Sequence, residues 1–373
     1  MNRPIQILIL LLVCGVPVHA QRGARIKVSI PDFLRQEVES GSVVGAQVIT
    51  GSTRTRSRKS VNLGKIGLDD SRNVSDETLF CLASCSKPIA SAVVFSLLDS
   101  RTMKLELQAG DLIPELDAPS TGGGHMVRSP TLRELLSHRG GIYSQMQQPT
   151  KLQLSAIRDF SQTLDEATQT IAQQPLLTSP GTQYAYSGAG YVLVGAMAER
   201  ASGKDIESLL QERICNPVGM DSTTYFPDAN KFDEIAEGGK SQLRAPHTMG
   251  SDLKFPLVGG SIYSTARDVE KFARMVLTQG RANQKQILSR EAWSHYVSPA
   301  FPTQRYGYGW LLTKQGTKVV ALSHKGSLPP YQSTIHIDLA NKTYKIAIWT
   351  LAKPNDVRST IRVRDGIANL IKG

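Results

Sequence analysis

The sequence contains little of what several classes of protein need. Its 373 residues include four cysteines, and aromatic side chains make up 6% of the chain. No paired C-x-x-C motif with a nearby histidine completes a zinc site. No basic stripe interleaved with aromatic residues indicates nucleic-acid binding, and internal repeats and low-complexity linkers are absent. We therefore expect no metal, no other cofactor and no nucleic acid as a partner.

Long hydrophobic runs are also missing, apart from one at the amino terminus. A positively charged start, Met1–Arg3, precedes an apolar run, Ile5–Val13, and small residues up to Ala20 then form a cleavage site. The run is too short to span a bilayer. Lipid attachment at Cys14 is the alternative, but the residue before it is larger than a lipoprotein signal usually has there. We predict a signal peptide over residues 1–20 and a periplasmic or secreted protein without a stable membrane anchor.

The mature chain of about 350 residues is long enough for a sizeable core. Its positive charge exceeds its negative charge, and the full sequence has a formal net charge of +11. Part of the excess lies in a segment that alternates basic with small polar residues: Arg54, Arg56, Arg58 and Lys59. This segment is either a solvated hairpin or a surface that attracts an anionic polymer of the cell envelope, and we favour the hairpin.

Three cysteines follow the predicted cleavage site: Cys81, Cys85 and Cys215. An odd number leaves at least one thiol free in an oxidising compartment. Cys85 could rival the serine beside it as a nucleophile, but no histidine lies in a context typical of cysteine hydrolases. Because cysteine often serves as a small buried hydrophobic residue, we expect that role for all three.

Strand-like segments lie near both ends of the chain. Val44–Thr50 and Ser60–Ile66 flank a polar turn and predict a hairpin. The pattern of the last third indicates an antiparallel meander followed by a helix over Asn355–Ile371. The meander strands are predicted at Gly307–Thr313, Lys318–Ser323, Ser333–Asp338 and Lys345–Leu351.

Between these ends, Asp111–Leu243 follows a mainly helical pattern. We predict an α+β fold in which an antiparallel β-sheet, built from both ends of the chain, is flanked by helices and carries an inserted, mainly helical lobe. Residues 21–373 would then form one domain. Its α/β lobe would comprise about 26–100 and 255–373, and its helical lobe about 101–254.

One short motif combines a nucleophile with a basic group. Ser84 and Lys87 form an S-x-x-K sequence between an extended segment, Leu79–Ala83, and an apolar helical run, Ile89–Leu98. If a helix begins near Ser84, positions three apart share a face, and the lysine amine reaches the hydroxyl. A serine hydroxyl needs a neighbour to take its proton, and a desolvated lysine can do so.

Two further motifs follow this one along the chain. Tyr186-Ser187-Gly188 precedes an apolar helix, and His324-Lys325-Gly326 lies at the end of a predicted strand. In this order the three motifs resemble the S-x-x-K, Y-x-N and K-T-G or H-x-G elements of the serine β-lactamase and penicillin-binding-protein superfamily. The chain looks most like its class C β-lactamase-like serine hydrolases. The resemblance runs from about Val28 to Ile371 and includes Thr131–Gly141, Tyr191–Gly195, Gly259–Asp268 and Tyr306–Trp310.

The resemblance implies a β-lactamase/transpeptidase-like fold and a set of catalytic roles. Ser84 would attack a carbonyl and become acylated, while Lys87 and Tyr186 share the proton transfers. The ammonium is expected to lower the pKa of the phenol beside it, and which group is the base for acylation stays open.

The remaining motif residues would contribute to binding. The backbone N–H groups of Ser84 and Ser327 would form the oxyanion hole. Gly326 would let the strand edge approach the substrate closely, and His324 would lie where the family binds a substrate carboxylate.

Two departures from the family pattern weaken a strict β-lactamase interpretation. Gly188 stands where the family usually has Asn, so a substrate amide loses a partner worth about 1–3 kcal/mol, whereas an ester has no such amide. His324 replaces the lysine of K-T-G, and a neutral imidazole attracts a carboxylate less than an ammonium does. Strand alternation predicts that Lys325 points away from the site.

We therefore expect an exported serine hydrolase that acts through an acyl-enzyme on an ester or amide. Esterase-like or D-amino-acid peptidase activity is expected ahead of efficient β-lactam hydrolysis. The alternative is a weakly catalytic or non-catalytic protein that binds penicillins or peptidoglycan fragments as a sensor. A purely structural use of the fold ranks lowest, because Ser84, Lys87 and Tyr186 are all present. The expected partner is a small-molecule or peptide substrate, with cell-wall fragments among the candidates.

Overall fold

The computed structural model describes residues 28–117, 120–242 and 244–372. The predicted signal peptide, residues 1–20, lies outside the described residues. The strands are β1 (Val43–Ser52), β2 (Arg58–Gly64), β3 (Phe80–Cys81), β4 (Tyr263–Ser264), β5 (Arg281–Ala282), β6 (Lys285–Gln286), β7 (Leu311–Gln315), β8 (Lys318–Leu328), β9 (Tyr331–Asp338) and β10 (Thr343–Leu351). Six of them form one antiparallel sheet in the order β2-β1-β10-β9-β8-β7.

Helices cover both faces of this sheet, and most of them come from the part of the chain between its first two strands and its last four. They are α1 (Ile30–Glu39), α2 (Ser86–Asp99), α3 (Leu132–Leu136), α4 (Lys151–Ser155), α5 (Leu164–Ala172), α6 (Gly188–Ser202), α7 (Ile206–Leu210), α8 (Asn216–Val218), α9 (Ala266–Leu277), α10 (Arg290–Tyr296) and α11 (Val357–Lys372). Within the described ranges, none of them has the length and apolar character to cross a bilayer.

The sheet joins the two ends of the chain. Its first two strands form the β1–β2 hairpin, in which Val48 pairs with Val61. Its last four strands form a meander, and β10 pairs antiparallel with β1 through pairs such as Val48 with Ala347. Helices α3 to α8 come from the chain between these halves. This is the arrangement that the strand and helix patterns predict.

Strand β8 is longer than its sequence pattern predicts. The prediction ends it at Ser323, but β9 pairs with it as far as Leu328, as the pair Ser327 with Gln332 shows. The His324 motif therefore lies inside a strand rather than at its end. On the other side, β7 pairs with β8 only up to Ser323. Among the described residues, the last part of β8 thus has a strand partner on one side only.

Helix α1 is not predicted from the sequence. Its signal is the capping serine, because the Ser29 side chain accepts a hydrogen bond from the Asp32 N–H at 3.3 Å. Leu34 of α1 packs with Trp349 of β10 and Val363 of α11 in a small core on the outer face of the sheet. The helix pair α1–α11 therefore closes the face of the sheet opposite α2.

Helix α2 lies in the main core, against the inner face of the sheet. Residues 86–97 are all buried, as expected of a helix that is apolar on every side. Lys87 is part of this buried run and is 2% exposed. The fold therefore holds the amine of Lys87 away from bulk water.

The outer core can be tested by removing one side chain. Leu34 is 0% exposed, so Leu34→Ala should lower the free energy of unfolding by about 2–5 kcal/mol, through lost burial and a cavity. Chemical denaturation monitored by circular dichroism measures the change. The matched control is Leu152→Ala, at a leucine that is 54% exposed, with an expected change within about 0.5 kcal/mol. Equal effects of the two substitutions would contradict the outer core.

Candidate active site

The three side chains predicted to be catalytic surround one cavity of about 560 Å³. Ser84 lies in a 3-10 turn, Ala83–Cys85, immediately before α2. The Lys87 Nζ is 3.4 Å from the Ser84 Oγ and 4.9 Å from the centre of the Tyr186 ring. The Ser84 side chain is also close enough to the Tyr186 phenol to influence its pKa. A hydroxyl, an amine and a phenol from two distant parts of the chain thus meet at one point.

The turn that carries Ser84 is fixed from two sides. The Leu82 N–H donates to the Ile262 carbonyl at 2.8 Å, and the Ile262 N–H donates to the Ser86 Oγ at 3.1 Å. Ala83 has a φ of 46°, a left-handed conformation that is unfavourable for a residue with a Cβ and that persists only where the surroundings hold it. The surrounding bonds therefore hold the Ser84 hydroxyl at the cavity wall.

Gly326 lets β8 approach this turn. A Cβ at position 326 would lie 2.3 Å from the Leu82 carbonyl oxygen and 2.2 Å from the Ser333 Oγ. The Ser333 Oγ itself donates to the Leu82 carbonyl at 2.6 Å. The role predicted for this glycine is to let the strand edge come close to the substrate. Gly326 does line the cavity, but the close contact that it permits is between the strand and the backbone next to the nucleophile.

Lys87 is a buried amine with few partners. Its Nζ donates to the Gly259 carbonyl at 2.8 Å, and burial lowers its pKa from 10.5 to about 7. None of the described residues that line the cavity is acidic, so no carboxylate there stabilises the ammonium. Near neutral pH a large fraction of Lys87 is therefore the free amine, which can accept a proton.

The pKa of Tyr186 is not lowered, contrary to the prediction from the sequence. Burial raises the pKa of its phenol well above the ordinary value, and the contact with Ser84 opposes this only in part. The expectation is wrong because it weighs only the charge of Lys87 and leaves out the burial of the phenol itself, which disfavours the phenolate. Tyr186 is therefore a neutral phenol that can donate and relay a proton.

His324 lies beside the cavity, and both of its ring nitrogens have partners. Its Nδ1 is 2.9 Å from the Lys325 carbonyl oxygen and must donate to it. Its Nε2 therefore accepts from the Tyr306 hydroxyl, at 3.0 Å. Burial, followed by the charge of Lys87, lowers the pKa of His324 to about 3. The imidazole is neutral, and it lines a groove of about 410 Å³ next to the cavity.

The residues after His324 face the cavity along β8. Lys325 borders both the cavity and the groove, and the direction of its side chain stays a prediction from strand alternation. Ser327 also lines the cavity, and its hydroxyl accepts from the Gln332 side chain at 2.8 Å. Because β7 ends its pairing before this segment, backbone groups of alternate residues on the open edge face the cavity.

Gln145 belongs to the site although no motif indicated it. Its Oε1 accepts the Gly188 N–H at 2.9 Å. A Cβ at position 188 would lie 3.5–3.7 Å from atoms of the Gln145 amide group. A side-chain amide from another loop therefore lies beside the position where the family usually has Asn. Its only sequence signal is its place shortly after Gly140-Gly141, and that carries no chemical information.

The three cysteines of the described residues, Cys81, Cys85 and Cys215, are free and buried, as expected. The Cys85 Sγ donates to the His324 carbonyl at 3.4 Å, and burial raises the pKa of its thiol to about 12. Since the thiolate is the nucleophilic form, Cys85 does not compete with Ser84. In the part of the chain that the structure describes, no group of three His, Cys, Asp or Glu side chains could hold a metal ion.

Comparison with known proteins identifies the family. The sequence profile of the Beta-lactamase family matches residues 30–369. The D-alanyl-D-alanine-carboxypeptidase/endopeptidase AmpH of Escherichia coli strain K12 is 24% identical over 240 residues, which are 62% of this chain and 60% of that protein. Esterase EstB of Burkholderia gladioli is 31% identical over 198 residues, which are 51% of this chain and 48% of that protein.

A solved structure confirms the predicted fold class. EstCE1, a hydrolase with promiscuous acyltransferase activity, superimposes with a TM-score of 0.77 at 18% identity, over 92% of this chain and 97% of that one. The family match over residues 30–369 confirms the resemblance inferred from the three motifs. Since the family profile spans nearly all of the described residues, the chain belongs to the Beta-lactamase family of serine hydrolases.

Proposed function

We propose that this protein hydrolyses an ester or amide through an acyl-enzyme on Ser84, with Lys87 as the base for acylation. The proposal rests on the position of the Lys87 Nζ, which lies 3.4 Å from the Ser84 Oγ. Burial also lowers the pKa of this amine to about 7. A base with a pKa near the working pH transfers protons efficiently. Tyr186, with its raised pKa, supplies a hydroxyl proton rather than a phenolate.

The proposed reaction uses the groups in a fixed order. The free amine of Lys87 takes the Ser84 proton as the Oγ bonds to the carbonyl carbon, and the carbonyl oxygen becomes an oxyanion. The backbone N–H groups of Ser84 and Ser327 stabilise that oxyanion by about 3–4 kcal/mol each. The tetrahedral intermediate collapses as Tyr186 donates a proton to the leaving group and regains one from Lys87. A water then gives a proton to Lys87 as its oxygen bonds to the acyl carbon. The bond to the Ser84 Oγ breaks as Lys87 returns that proton to the Oγ, and the acid is released.

Three features support an ester or a D-amino-acid peptide ahead of efficient β-lactam hydrolysis. Position 188 has no side chain, and the Oε1 of the neighbouring Gln145 is already bonded to the Gly188 N–H. His324 is neutral and fully bonded, so it offers no cation to a substrate carboxylate. The two relatives named above are a D-alanyl-D-alanine-carboxypeptidase/endopeptidase and an esterase.

The proposed setting is outside the cytoplasm. The amino-terminal signal pattern supports export to the periplasm or medium, with a small-molecule or peptide substrate and cell-wall fragments among the candidates. No nucleic acid or stable membrane anchor is part of the proposal.

The nucleophile is tested by Ser84→Ala, with Cys85→Ala as the neighbouring control. We expect Ser84→Ala to lower kcat/KM by at least about a thousandfold on every substrate that the wild type turns over, because the acyl-enzyme cannot form. The assay uses p-nitrophenyl acetate, nitrocefin and a D-Ala-D-Ala peptide. Cys85→Ala should stay within about tenfold of wild type. Esterase activity retained by Ser84→Ala would refute the proposal, and stable fluorophosphonate labelling without turnover would favour a binding protein or sensor.

The base is tested by the pH dependence. Acylation requires the uncharged amine, so kcat/KM for p-nitrophenyl acetate should rise with pH through about 7 and level off above it. The inflection should persist in Tyr186→Phe at a lower plateau, because the phenol is already neutral over this range. An inflection that disappears in Tyr186→Phe would assign the titration to the phenol instead and contradict Lys87 as the base.

Gln145 is tested by comparing amide and ester substrates. Gln145→Ala should lower kcat/KM for a D-Ala-D-Ala peptide by about 5–150-fold, equivalent to about 1–3 kcal/mol for one lost hydrogen bond in a desolvated site. The effect on p-nitrophenyl acetate should be under about threefold. Gln145→Glu, which keeps the oxygen but removes the NH₂ donor, should follow the alanine variant on the peptide. Equal losses on both substrates would exclude a role for Gln145 in binding the substrate amide.

A further inference from the structure

His138 is a buried residue at the site to which the proposed reaction assigns no task. It follows α3, is 2% exposed and has a φ of 62°. This left-handed conformation is uncommon for residues other than glycine, although histidine, like asparagine and aspartate, adopts it more often than most. Something in the surroundings must compensate for the unfavourable backbone.

The compensating contacts lie on both sides of Tyr186. The Ala185 N–H donates to the His138 carbonyl at 2.8 Å. The Ser187 N–H donates to the His138 Nδ1 at 3.1 Å. One residue therefore binds the backbone immediately before and immediately after the tyrosine, which fixes the point from which the phenol projects.

The ring of His138 also limits the orientation of the phenol. Its centre lies 4.3 Å from that of Tyr186, with 42° between the planes, and 4.7 Å from that of Tyr306. The Tyr306 hydroxyl in turn bonds to the His324 Nε2 at 3.0 Å. A row of packed rings therefore restricts the orientation of the Tyr186 ring.

The tautomer of His138 follows from its partner. A backbone N–H only donates, so the Nδ1 that accepts from Ser187 carries no proton, and the ring proton is on Nε2. The Nε2 has no hydrogen-bond partner among the described residues. Burial lowers the pKa of His138, in keeping with a neutral ring that serves here as an acceptor and a packing surface.

We propose that His138 is a positioning residue, which holds the Tyr186 hydroxyl at the distance and angle needed to pass a proton to the leaving group. This inference rests on the proposed function, in which Tyr186 makes that transfer. His138 itself touches neither the substrate nor the reacting atoms. Replacing His138 should therefore lower the activity only when Tyr186 keeps its hydroxyl.

The test is a double-mutant cycle between positions 138 and 186, with kcat/KM for a D-Ala-D-Ala peptide and for an alkyl ester as readouts, because both leaving groups need a proton. His138→Leu removes the acceptor for the Ser187 N–H and should lower kcat/KM by about 10–100-fold in the wild-type background. In the Tyr186→Phe background the same change should cost less than about twofold, because no hydroxyl remains to be positioned.

His138→Asn is the matched rescue variant. Asparagine tolerates the left-handed backbone, and its side-chain oxygen can accept the Ser187 N–H, so the loss should be under about fivefold. If His138→Leu does not fold, His138→Gln replaces it, because the longer side chain places its oxygen beyond the Nδ1 position. Thermal unfolding of each variant identifies a loss of folded protein.

The outcomes separate the inference from the proposed function. Equal losses from His138→Leu in both backgrounds, or no rescue by asparagine, would overturn the positioning role alone. A Tyr186→Phe variant as fast as the wild type would contradict the proposed role of the phenol and the inference with it. Loss of activity in Ser84→Ala would support the nucleophile in either case.

Discussion

The structure depends above all on an amine buried among neutral groups. Lys87 lies inside α2, where the main core surrounds it, and its Nζ donates to a backbone carbonyl at 2.8 Å. A buried charge is costly unless it is paired, and the cavity lining offers no acidic side chain among the described residues. The fold therefore favours the uncharged amine, and this makes a lysine useful as a base beside Ser84.

The same desolvation sets the state of the other ionisable groups around the cavity. It lowers the pKa of the imidazoles of His138 and His324 and raises the pKa of Tyr186. All three are neutral when the site is empty, and each keeps a defined donor or acceptor role because its hydrogen-bond partners fix where the proton lies. These three groups thus act as oriented neutral dipoles at rest, while Arg158, Lys325 and Arg364 also line the cavity. A charge that develops during the reaction then meets groups that are already in place.

The sequence predicts the fold and the meeting of the three motifs, but not the details that depend on neighbours distant along the chain. Helical spacing brings Ser84 and Lys87 together, and the family resemblance adds Tyr186 to the same groove. The pKa of Tyr186 is mispredicted because the burial of the phenol is a property of the packed core. Gln145 and His138 go unrecognised because each acts through contacts with residues 186–188, more than forty positions later, and neither lies in a motif with chemical meaning. The extension of β8 to Leu328 likewise depends on pairing with β9, which local composition does not reveal.

The missing side chain at position 326 has a consequence for how this enzyme could change its specificity. Any β-carbon there would collide with the Leu82 carbonyl and the Ser333 hydroxyl, so a substitution would displace the strand from the nucleophile before it altered any contact with a bound molecule. Met146 and Leu328, by contrast, line the cavity, and Met146 is 77% exposed. Substitutions that change the specificity are therefore expected at the rim of the cavity. Gly326 keeps the distance between β8 and Ser84 the same in all of these variants.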